Sequence, residues 1–227
     1  TSAAQQAETI PALLEGKLQV AFAAEEYQRV FSLENTAMQA DVQGSEVVLN
    51  GTKCCVMNGD QADQLVVLAR TGGEPGDQDG LSLFLVDANA EGIERAPHRM
   101  VDGRQGAEIR FADVSVSQDA CIGELNKGYH VAKAVLQEGL LALSAESVGS
   151  MSVLLDDTVE YTKTRKQFGR AIGEFQALQH RMVEMRMELE KARSMTILAA
   201  CSLELSAPVR AKRLAAAKAL IAKSGRK

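Results

Sequence analysis

The run Val47-Val48-Leu49-Asn50-Gly51-Thr52-Lys53-Cys54-Cys55-Val56 is the part of the chain that most directly indicates its fold. Apolar residues flank the Asn-Gly pair. Both central residues of a type I′ turn need a positive φ, which Asn and Gly adopt more readily than other residues. The run therefore predicts two antiparallel strands, at 46–49 and 53–56, joined by a two-residue hairpin.

Short apolar segments of the same kind continue in both directions from this run, as far as about Gly123. Turn residues separate them, and no helical pattern of apolar residues lies between them. Seven or eight short strands without intervening helices are typical of an antiparallel sandwich or barrel. Besides the hairpin, strands are expected at residues 18–24, 36–42, 64–69, 81–86, 92–96 and 108–116, with a Gly-rich loop at 71–80.

The chain changes character near Gly123, after which long segments have helical periodicity and contain little Gly or Pro. A first helix is predicted at 129–164, and Pro208 marks the first turn of a later helix that runs to about Ser224. Three long helices with short connections pack as antiparallel neighbours. The middle helix has an apolar stripe with spacings of three and four residues: Phe175, Leu178, Met182, Met185, Leu189 and Ala192.

The expected fold class is therefore α+β, with an antiparallel β sandwich or barrel-like domain followed by an antiparallel bundle of long helices. A short helix is predicted to end at residues 10–14. We assign residues 1–16 to the end of an N-terminal helical domain, 17–122 to the β domain and 123–227 to the helical bundle.

Composition and charge exclude some classes of protein. The 227 residues are 46% hydrophobic and 24% charged, with a net charge of −5, which argues against a nucleic-acid binder. No uninterrupted apolar run approaches the ~20 residues of a membrane span, so no membrane contact is expected. The cysteines form no C-x-x-C pair, which indicates reduced thiols and a cytoplasmic location. No metal site is predicted, because the Cys and His residues lack ligand spacing: Cys54, Cys55, Cys121, Cys201, His98, His130 and His180.

The common nucleotide-binding motifs are also missing from the sequence. It contains no G-x-G-x-x-G after a strand and no G-x-x-x-x-G-K-[ST]. It contains neither a G-x-S-x-G elbow nor an H-E-x-x-H pair. Any nucleotide cofactor must therefore be held without a Rossmann or P-loop device.

The run Lys163-Thr164-Arg165-Lys166-Gln167-Phe168-Gly169-Arg170 places four cations in eight residues at the end of a predicted helix. One interpretation is that these cations are solvated and complement the helix dipole. The other is a phosphate grip, in which Arg donates a planar pair of hydrogen bonds and Phe offers a flat apolar surface. Gly169 would let the chain turn out of the helix. Composition alone leaves both interpretations open.

Three stretches, in the same order along the chain, resemble the acyl-CoA dehydrogenase family. The most specific is Tyr161-x-x-x-Arg165-x-Gln167-Phe168-Gly169-x-x-Ile172-x-x-x-Gln176, which is similar to a signature of that family's C-terminal helical domain. Leu49-Asn50-Gly51-x-Lys53 with Asn58-Gly59-x-x-Ala62-Asp63 resembles the middle β domain, and Phe111-x-Asp113-Val114-x-Val116 resembles its end. The likeness is nearest to the small-subunit, pimeloyl-CoA dehydrogenase-like branch. It implies that an N-terminal helical domain and part of the C-terminal bundle are missing here.

The resemblance implies FAD as the cofactor. In the family, one segment contacts FAD across a dimer interface, and it corresponds to Arg165, Lys166, Gln167 and Phe168, with Phe175 and Gln176 nearby. The flavin ring rests on two strand segments of the β domain, which correspond to Phe22, Ala23 and Ala24 and to Cys55, Val56 and Met57.

This chain departs from the family pattern around the flavin. The family usually has an aromatic residue at the position of Cys55 and a hydroxyl residue at the positions of Ala24 and Met57. Backbone groups remain available to a flavin, because they depend on strand position rather than on the side chain. The family's Gly-Ser-Asp loop is replaced by Glu25-Glu26-Tyr27-Gln28-Arg29. The Asp and Arg that many members place on the first long helix, near the CoA arm of the thioester, correspond here to Gln137 and Leu140.

The resemblance also implies a reaction. The family removes the α-proton of an acyl-CoA thioester with a carboxylate base while the β-hydride passes to flavin N5. The carboxylate needs a water-poor site to be sufficiently basic. The usual base would follow Lys227, and Glu138 is a weaker candidate because some members carry the base on the first long helix.

Three functions are therefore considered. The first is an FAD-dependent acyl-CoA dehydrogenase that passes electrons to an electron-transfer flavoprotein and forms a homo- or heterotetramer. The second is a non-catalytic partner subunit that completes the FAD site of a sister chain. The third is a structural module whose basic run only ends a helix.

Overall fold

The computed structural model describes residues 3–27 and 32–226. The chain divides into two compact units, the first ending at Lys133 and the second beginning at Ala134. Two residues of the altered loop discussed above, Gln28 and Arg29, lie outside the described residues.

The first unit is built on a curled seven-stranded sheet. Most neighbouring strands are antiparallel, but the first and fourth strands run parallel, with Val20 opposite Gln64 and Ala23 opposite Val67. The α+β fold class is confirmed, although the sheet is mixed rather than wholly antiparallel. The elements are α1 (Ala3–Leu14), β1 (Val20–Ala23), β2 (Gln39–Gln43), β3 (Glu46–Met57), β4 (Gln64–Arg70), β5 (Leu81–Asp87), β6 (Ile93–Arg99) and β7 (Gln105–Ser117). The strand order is β1-β4-β2-β3-β7-β6, with β5 on the free side of β4.

The hairpin predicted at Asn50-Gly51 is wrong, because β3 passes straight through it. The turn lies earlier, at Gly44, whose φ is +65°. Asn50 instead ties β3 to β7: its Nδ2 donates to Asp113 Oδ1 and its Oδ1 accepts from the Asp113 backbone N–H, both at 2.9 Å. The β3–β7 register shifts between Leu49 and Gly51, where Asn50 faces two residues of β7, Ala112 and Asp113. The irregularity is therefore a β-bulge of β7, and β3 does not turn there.

The inner face of the sheet forms the core of the first unit. Alternate residues of β3, β4 and β7 point inward and are fully buried, as the strand period of two requires. Each large apolar side chain buried in this way contributes about 1.5–3 kcal/mol. The largest members of this cluster are Val47, Leu49, Leu65, Phe84, Val86, Ile109 and Phe111.

The second unit is a bundle of three long helices, as predicted: the greater part of α2 (Gly128–Thr164), then α3 (Gln176–Ala200) and α4 (Ala207–Ser224). Thr162 contacts Met182, so α3 starts beside the end of α2 and returns along it. Arg210 contacts Gln137 and Ser224 contacts Glu188, so α4 again runs along α2 in the same direction. The core where the helices meet is small-residue rich: Ala192, Ala199, Leu214, Ala217 and Ile221.

α2 is, within residues 3–27 and 32–226, the helix that is long and apolar enough to cross a membrane. Its most apolar 18-residue window has a mean hydropathy of 1.2, and 11% of that window is buried. Helices in the cores of other proteins pass the same test of length and composition, so this is weak evidence for a span. The absence of membrane contact stays a prediction.

Candidate functional site

A tight hairpin follows α2 and carries most of the basic run. Its strands are β8 (Lys166–Gln167) and β9 (Arg170–Ala171), with Gln167 opposite Arg170. The two residues at its tip, Phe168 and Gly169, have φ values of +54° and +80°, as both central residues of a type I′ turn require. The chain therefore turns at the predicted Gly169, but as a hairpin whose tip includes a bulky phenylalanine.

Phe168 is both strained and exposed. A positive φ is an outlier for a bulky residue, and such strain concentrates at functional sites. The side chain is 91% exposed, although an apolar ring gains free energy from burial. Its ring is nearly perpendicular to that of Phe175, with 6.2 Å between the ring centroids, while the Arg170 guanidinium carbon lies 4.2 Å from the Phe175 centroid. The geometry presents a flat apolar surface to something outside this unit.

The cations around this tip are in different situations. Lys163 lies in the last turn of α2 and is 3.6 Å from Glu160, as expected for a cation that complements the helix end. Arg165 and Lys166 lie beyond the helix, are exposed, and form no ion pair within the described part of the chain. Their donors are available to an anion. Phe175 and Gln176 lie at the start of α3. The six residues of this segment that were predicted to contact FAD therefore lie at the hairpin or at the start of the helix that follows it.

In the first unit, the two predicted strand segments lie side by side. The Cys54 backbone N–H donates to the Glu25 carbonyl oxygen at 2.8 Å, which joins the end of β1 to the second half of β3. The side chains of Ala23 and Val56 point into the core and are fully buried. Their contribution to a cofactor site is limited to backbone groups. Phe22 and Ala24 belong to a second apolar cluster that includes Tyr129, at the start of α2.

Cys55 and Met57 are exposed and separated by one residue, so they share the outer face of β3. The β3–β7 register shifts between Lys53 and Val56, and Cys55 has a φ of +51°, so this stretch is a second bulge. Cys54, by contrast, is buried. Burial is the main reason why the pKa of its thiol is raised to about 11, and the adjacent Cys55 thiol contributes further. The side chains of Cys55 and Met57 themselves carry no hydroxyl group, but the Tyr27 phenol interacts with Glu108 and with the Cys54 and Cys55 thiols.

A buried ion pair, which the sequence analysis missed, connects the same two segments. Lys53 is fully buried, and its Nζ donates to Glu26 Oε1 at 2.8 Å and to the Ala24 carbonyl oxygen at 3.1 Å. The Glu26 carboxylate also accepts from the backbone N–H groups of Ala37 and Met38. The available signal was a lysine inside an otherwise apolar strand run, since lysine is almost never fully buried unless paired.

The titration of Glu26 gives the first prediction. Burial raises the pKa of Glu26, but Lys53 and the two backbone N–H groups outweigh burial, so its pKa lies below the ordinary 4.5. A carboxyl with a lowered folded-state pKa stabilises the fold above its unfolded-state pKa, and this contribution is lost as pH falls through the folded-state pKa. We therefore expect the free energy of unfolding to decline below about pH 4.5, as measured by urea titration at a series of pH values.

The matched variant for this prediction is Glu26→Gln. It should be less stable than the wild type at neutral pH, because Lys53 loses its charged partner, and its stability should change less between neutral and acid pH. Parallel pH profiles for the two proteins would contradict the assignment.

The helical unit places the candidate base on an open face. Glu138 is exposed on α2 within this unit. Its neighbour Gln137 accepts a hydrogen bond from Arg210 Nε at 2.7 Å, and Leu140 packs against the bundle core. These two positions therefore have structural contacts, and the role of Glu138 as a base stays a prediction. Within the described residues, no group of three His, Cys, Asp or Glu side chains is arranged to hold a metal ion.

Comparison with known proteins identifies the family. The middle domain of acyl-CoA dehydrogenases matches residues 21–114, and the C-terminal domain of the same family matches residues 126–227. The probable acyl-CoA dehydrogenase FadE25 of Mycobacterium tuberculosis is 32% identical over 204 residues, which are 88% of this chain and 52% of that protein. The caffeyl-CoA reductase-Etf complex subunit CarC of Acetobacterium woodii is 32% identical over 191 residues, 83% of this chain and 50% of that protein.

A solved structure agrees with these relatives. PigA with FAD and proline superposes with a TM-score of 0.91 at 29% identity, covering 99% of this chain and 59% of that one. The chain belongs to the acyl-CoA dehydrogenase family. It spans about half the length of the curated relatives that it matches.

Proposed function

We propose that the whole protein is an FAD-dependent acyl-CoA dehydrogenase that introduces an α,β double bond into an acyl-CoA thioester. The observation that carries this proposal is the hairpin tip, where Phe168 is exposed with a positive φ beside the unpaired cations Arg165 and Lys166. Membership of the family and the FAD in the PigA structure support the same cofactor. FAD, when bound, supplies the acceptor for the hydride.

The residues have distinct proposed roles. Arg165 and Lys166 bind phosphate oxygens, Arg165 with two parallel donors. Phe168 packs on a ring of the cofactor, while Gln167 and Gln176 add neutral donors. In the first unit, the backbone of Phe22–Ala24 and of Cys55–Met57, with the apolar side chains of Cys55 and Met57, forms the wall for the flavin ring. Glu138 is a candidate for proton abstraction, provided that the whole protein shields it from water.

The partners follow from the same proposal. The substrate is an acyl-CoA, and the electron acceptor is an electron-transfer flavoprotein, which is supported by the Etf complex in the name of CarC. We further propose a homo- or heterotetramer, in which the Phe168 tip meets the FAD of another subunit, and a cytoplasmic location.

A second function is favoured by one specific observation. The wall at Ala24, Cys55 and Met57 has no hydroxyl group, and Glu138 is exposed within its unit. A chain of this kind can serve as a partner subunit, whose residues 165–168 contact the FAD that a sister chain holds. It would bind flavin only at the shared interface and would not reduce it alone.

An absorbance spectrum of the purified whole protein, recorded without oxygen before and after addition of acyl-CoAs of several chain lengths, separates these functions. We expect flavin bands that bleach with one class of thioester, because reduction removes the oxidised flavin absorbance. Flavin bands that no thioester bleaches would favour the partner subunit. A folded protein that purifies without flavin and gains none on addition of FAD would contradict both functions.

A further inference from the structure

We propose that Lys53 is a positioning residue that holds the flavin-facing wall of the first unit in shape, an inference that rests on the proposed function. Its ammonium group lies between the two segments assigned to the flavin. The ammonium group donates to the carbonyl oxygen of Ala24, which is the last residue of one segment. Lys53 itself lies on β3, two residues before Cys55, which is the first residue of the other segment. A single buried side chain therefore joins both segments.

The ion pair extends this connection to a third segment. Glu26 Oε1 accepts from Lys53 Nζ and from the Met38 N–H, and Glu26 Oε2 accepts from the Ala37 N–H. The Glu26 carboxylate therefore anchors both ends of the segment between Glu26 and Ala37. Because that loop follows directly after Ala24, its two anchors also restrain the end of β1.

Stability alone does not account for a buried pair of this kind. Removing two charges from water is costly, and burial lowers the pKa of Lys53 while Glu26 opposes that effect. An apolar pair of similar volume is often as stable or more so. Charged hydrogen bonds are directional, so they also fix relative positions: the Lys53 ammonium must point at the Ala24 carbonyl and the Glu26 carboxylate at the same time.

The bulge at Cys55 is the part that needs this restraint. Cys54 and Cys55 have no paired residue on β7 where the register shifts, and Cys55 has a positive φ. The backbone of its neighbour Cys54 is held from the other side, by the hydrogen bond of its N–H to the Glu25 carbonyl. The Lys53 contacts fix the position of Ala24 and Glu26 on either side of that carbonyl, and hence fix the backbone of the bulge.

The test compares Lys53→Met with the double variant Lys53→Met, Glu26→Gln in the whole protein. Three quantities are measured: the FAD dissociation constant, the melting temperature of the FAD-free protein, and the alkylation rate of the exposed Cys55 thiol. Alkylation is followed in the FAD-free protein with Cys121 and Cys201 both replaced by serine, since these two thiols are also accessible. Lys53→Met should weaken FAD binding by roughly tenfold, about the contribution of one hydrogen bond from a wall backbone group that is no longer held in position. It should also accelerate Cys55 alkylation. Lys17→Met is the control, because Lys17 is exposed and pairs only with Glu15.

The double variant separates positioning from stability. It removes the buried carboxylate that Lys53→Met leaves without its ammonium partner. The single amide oxygen of the new Gln can replace only one of the two oxygens that accept from Ala37 and Met38, so the melting temperature should recover in part. FAD affinity should remain low and Cys55 alkylation fast. Recovery of all three quantities together, or wild-type FAD affinity and alkylation in Lys53→Met, would overturn the proposal. A wild-type protein that binds no FAD would contradict the proposed function instead, while the alkylation rates would still report whether Lys53 holds the bulge.

Discussion

Replacing Arg165 by alanine is expected to weaken FAD binding by about 10- to 100-fold without lowering the melting temperature of the protein. A hydrogen bond to a charged group contributes roughly 1.5–3 kcal/mol, and each 1.4 kcal/mol changes a dissociation constant tenfold. Arg165 is exposed and has no ion-pair partner among the described residues, so the variant breaks no contact of its own unit. The measurement is a fluorescence titration of the FAD-free whole protein with FAD.

The chain offers matched controls for this experiment. Arg181 is an exposed arginine of the same unit that pairs with Glu184 at 3.0 Å, and Arg181→Ala should leave FAD affinity unchanged. Arg165→Lys keeps the charge but loses the planar pair of donors, so its affinity should fall between those of the wild type and Arg165→Ala. Wild-type affinity in Arg165→Ala would return the basic run to its simpler interpretation as solvated cations at a helix end.

Replacing Arg70 by methionine is expected to cost the first unit roughly 1–3 kcal/mol of unfolding free energy, since one buried and several partly buried acceptors lose a charged donor. Arg70 is 2% exposed at the end of β4. Its guanidinium donates to five backbone carbonyls, at distances from 2.6 to 3.3 Å: those of Glu34, Thr36, Gly72, Asp77 and Asp79. The hydrogen bond to Thr36 is buried and the other four are partly buried, and the variant removes the donor from all five carbonyls.

The Arg70 prediction is checked by urea unfolding followed by far-UV circular dichroism, with hydrogen exchange of β4 and β5 to localise the loss. Arg99→Met is the control, because Arg99 is an exposed arginine of the same unit and its loss should change stability by no more than about 0.5 kcal/mol. Equal stability of the two variants would mean that the 71–80 loop holds its shape without Arg70.

Much of the architecture follows from local patterns. The helices near residues 129–164 and 207–224 are predictable because helical periodicity and Pro208 depend on neighbours in sequence. The Asn50-Gly51 hairpin was predicted wrongly for the same reason. The pair does favour unusual backbone angles, but Asn50 instead forms a long-range contact with Asp113, 63 residues away, at a bulge of β7 that faces a continuous β3.

The candidate site divides in the same way. The Arg165–Phe168 motif is visible in the sequence, since its spacing is short and specific. The strain and exposure of Phe168, and the difference between the paired Lys163 and the unpaired Arg165, appear only in the structure. The side-chain directions of Ala23 and Val56 also follow from the sheet, which turns them into the core and leaves Cys55 and Met57 outside.

The sequence by itself determined the family, the α+β class and the order of elements, because these depend on composition, periodicity and motif spacing. The tertiary structure alone decided the strand order, the parallel pairing of β1 with β4, and the burial of Lys53 and Arg70. The physical reason is that a buried charge is tolerated only where distant groups meet it. Glu26 lies 27 residues from Lys53, and two of the carbonyls bound by Arg70 lie 34 and 36 residues away.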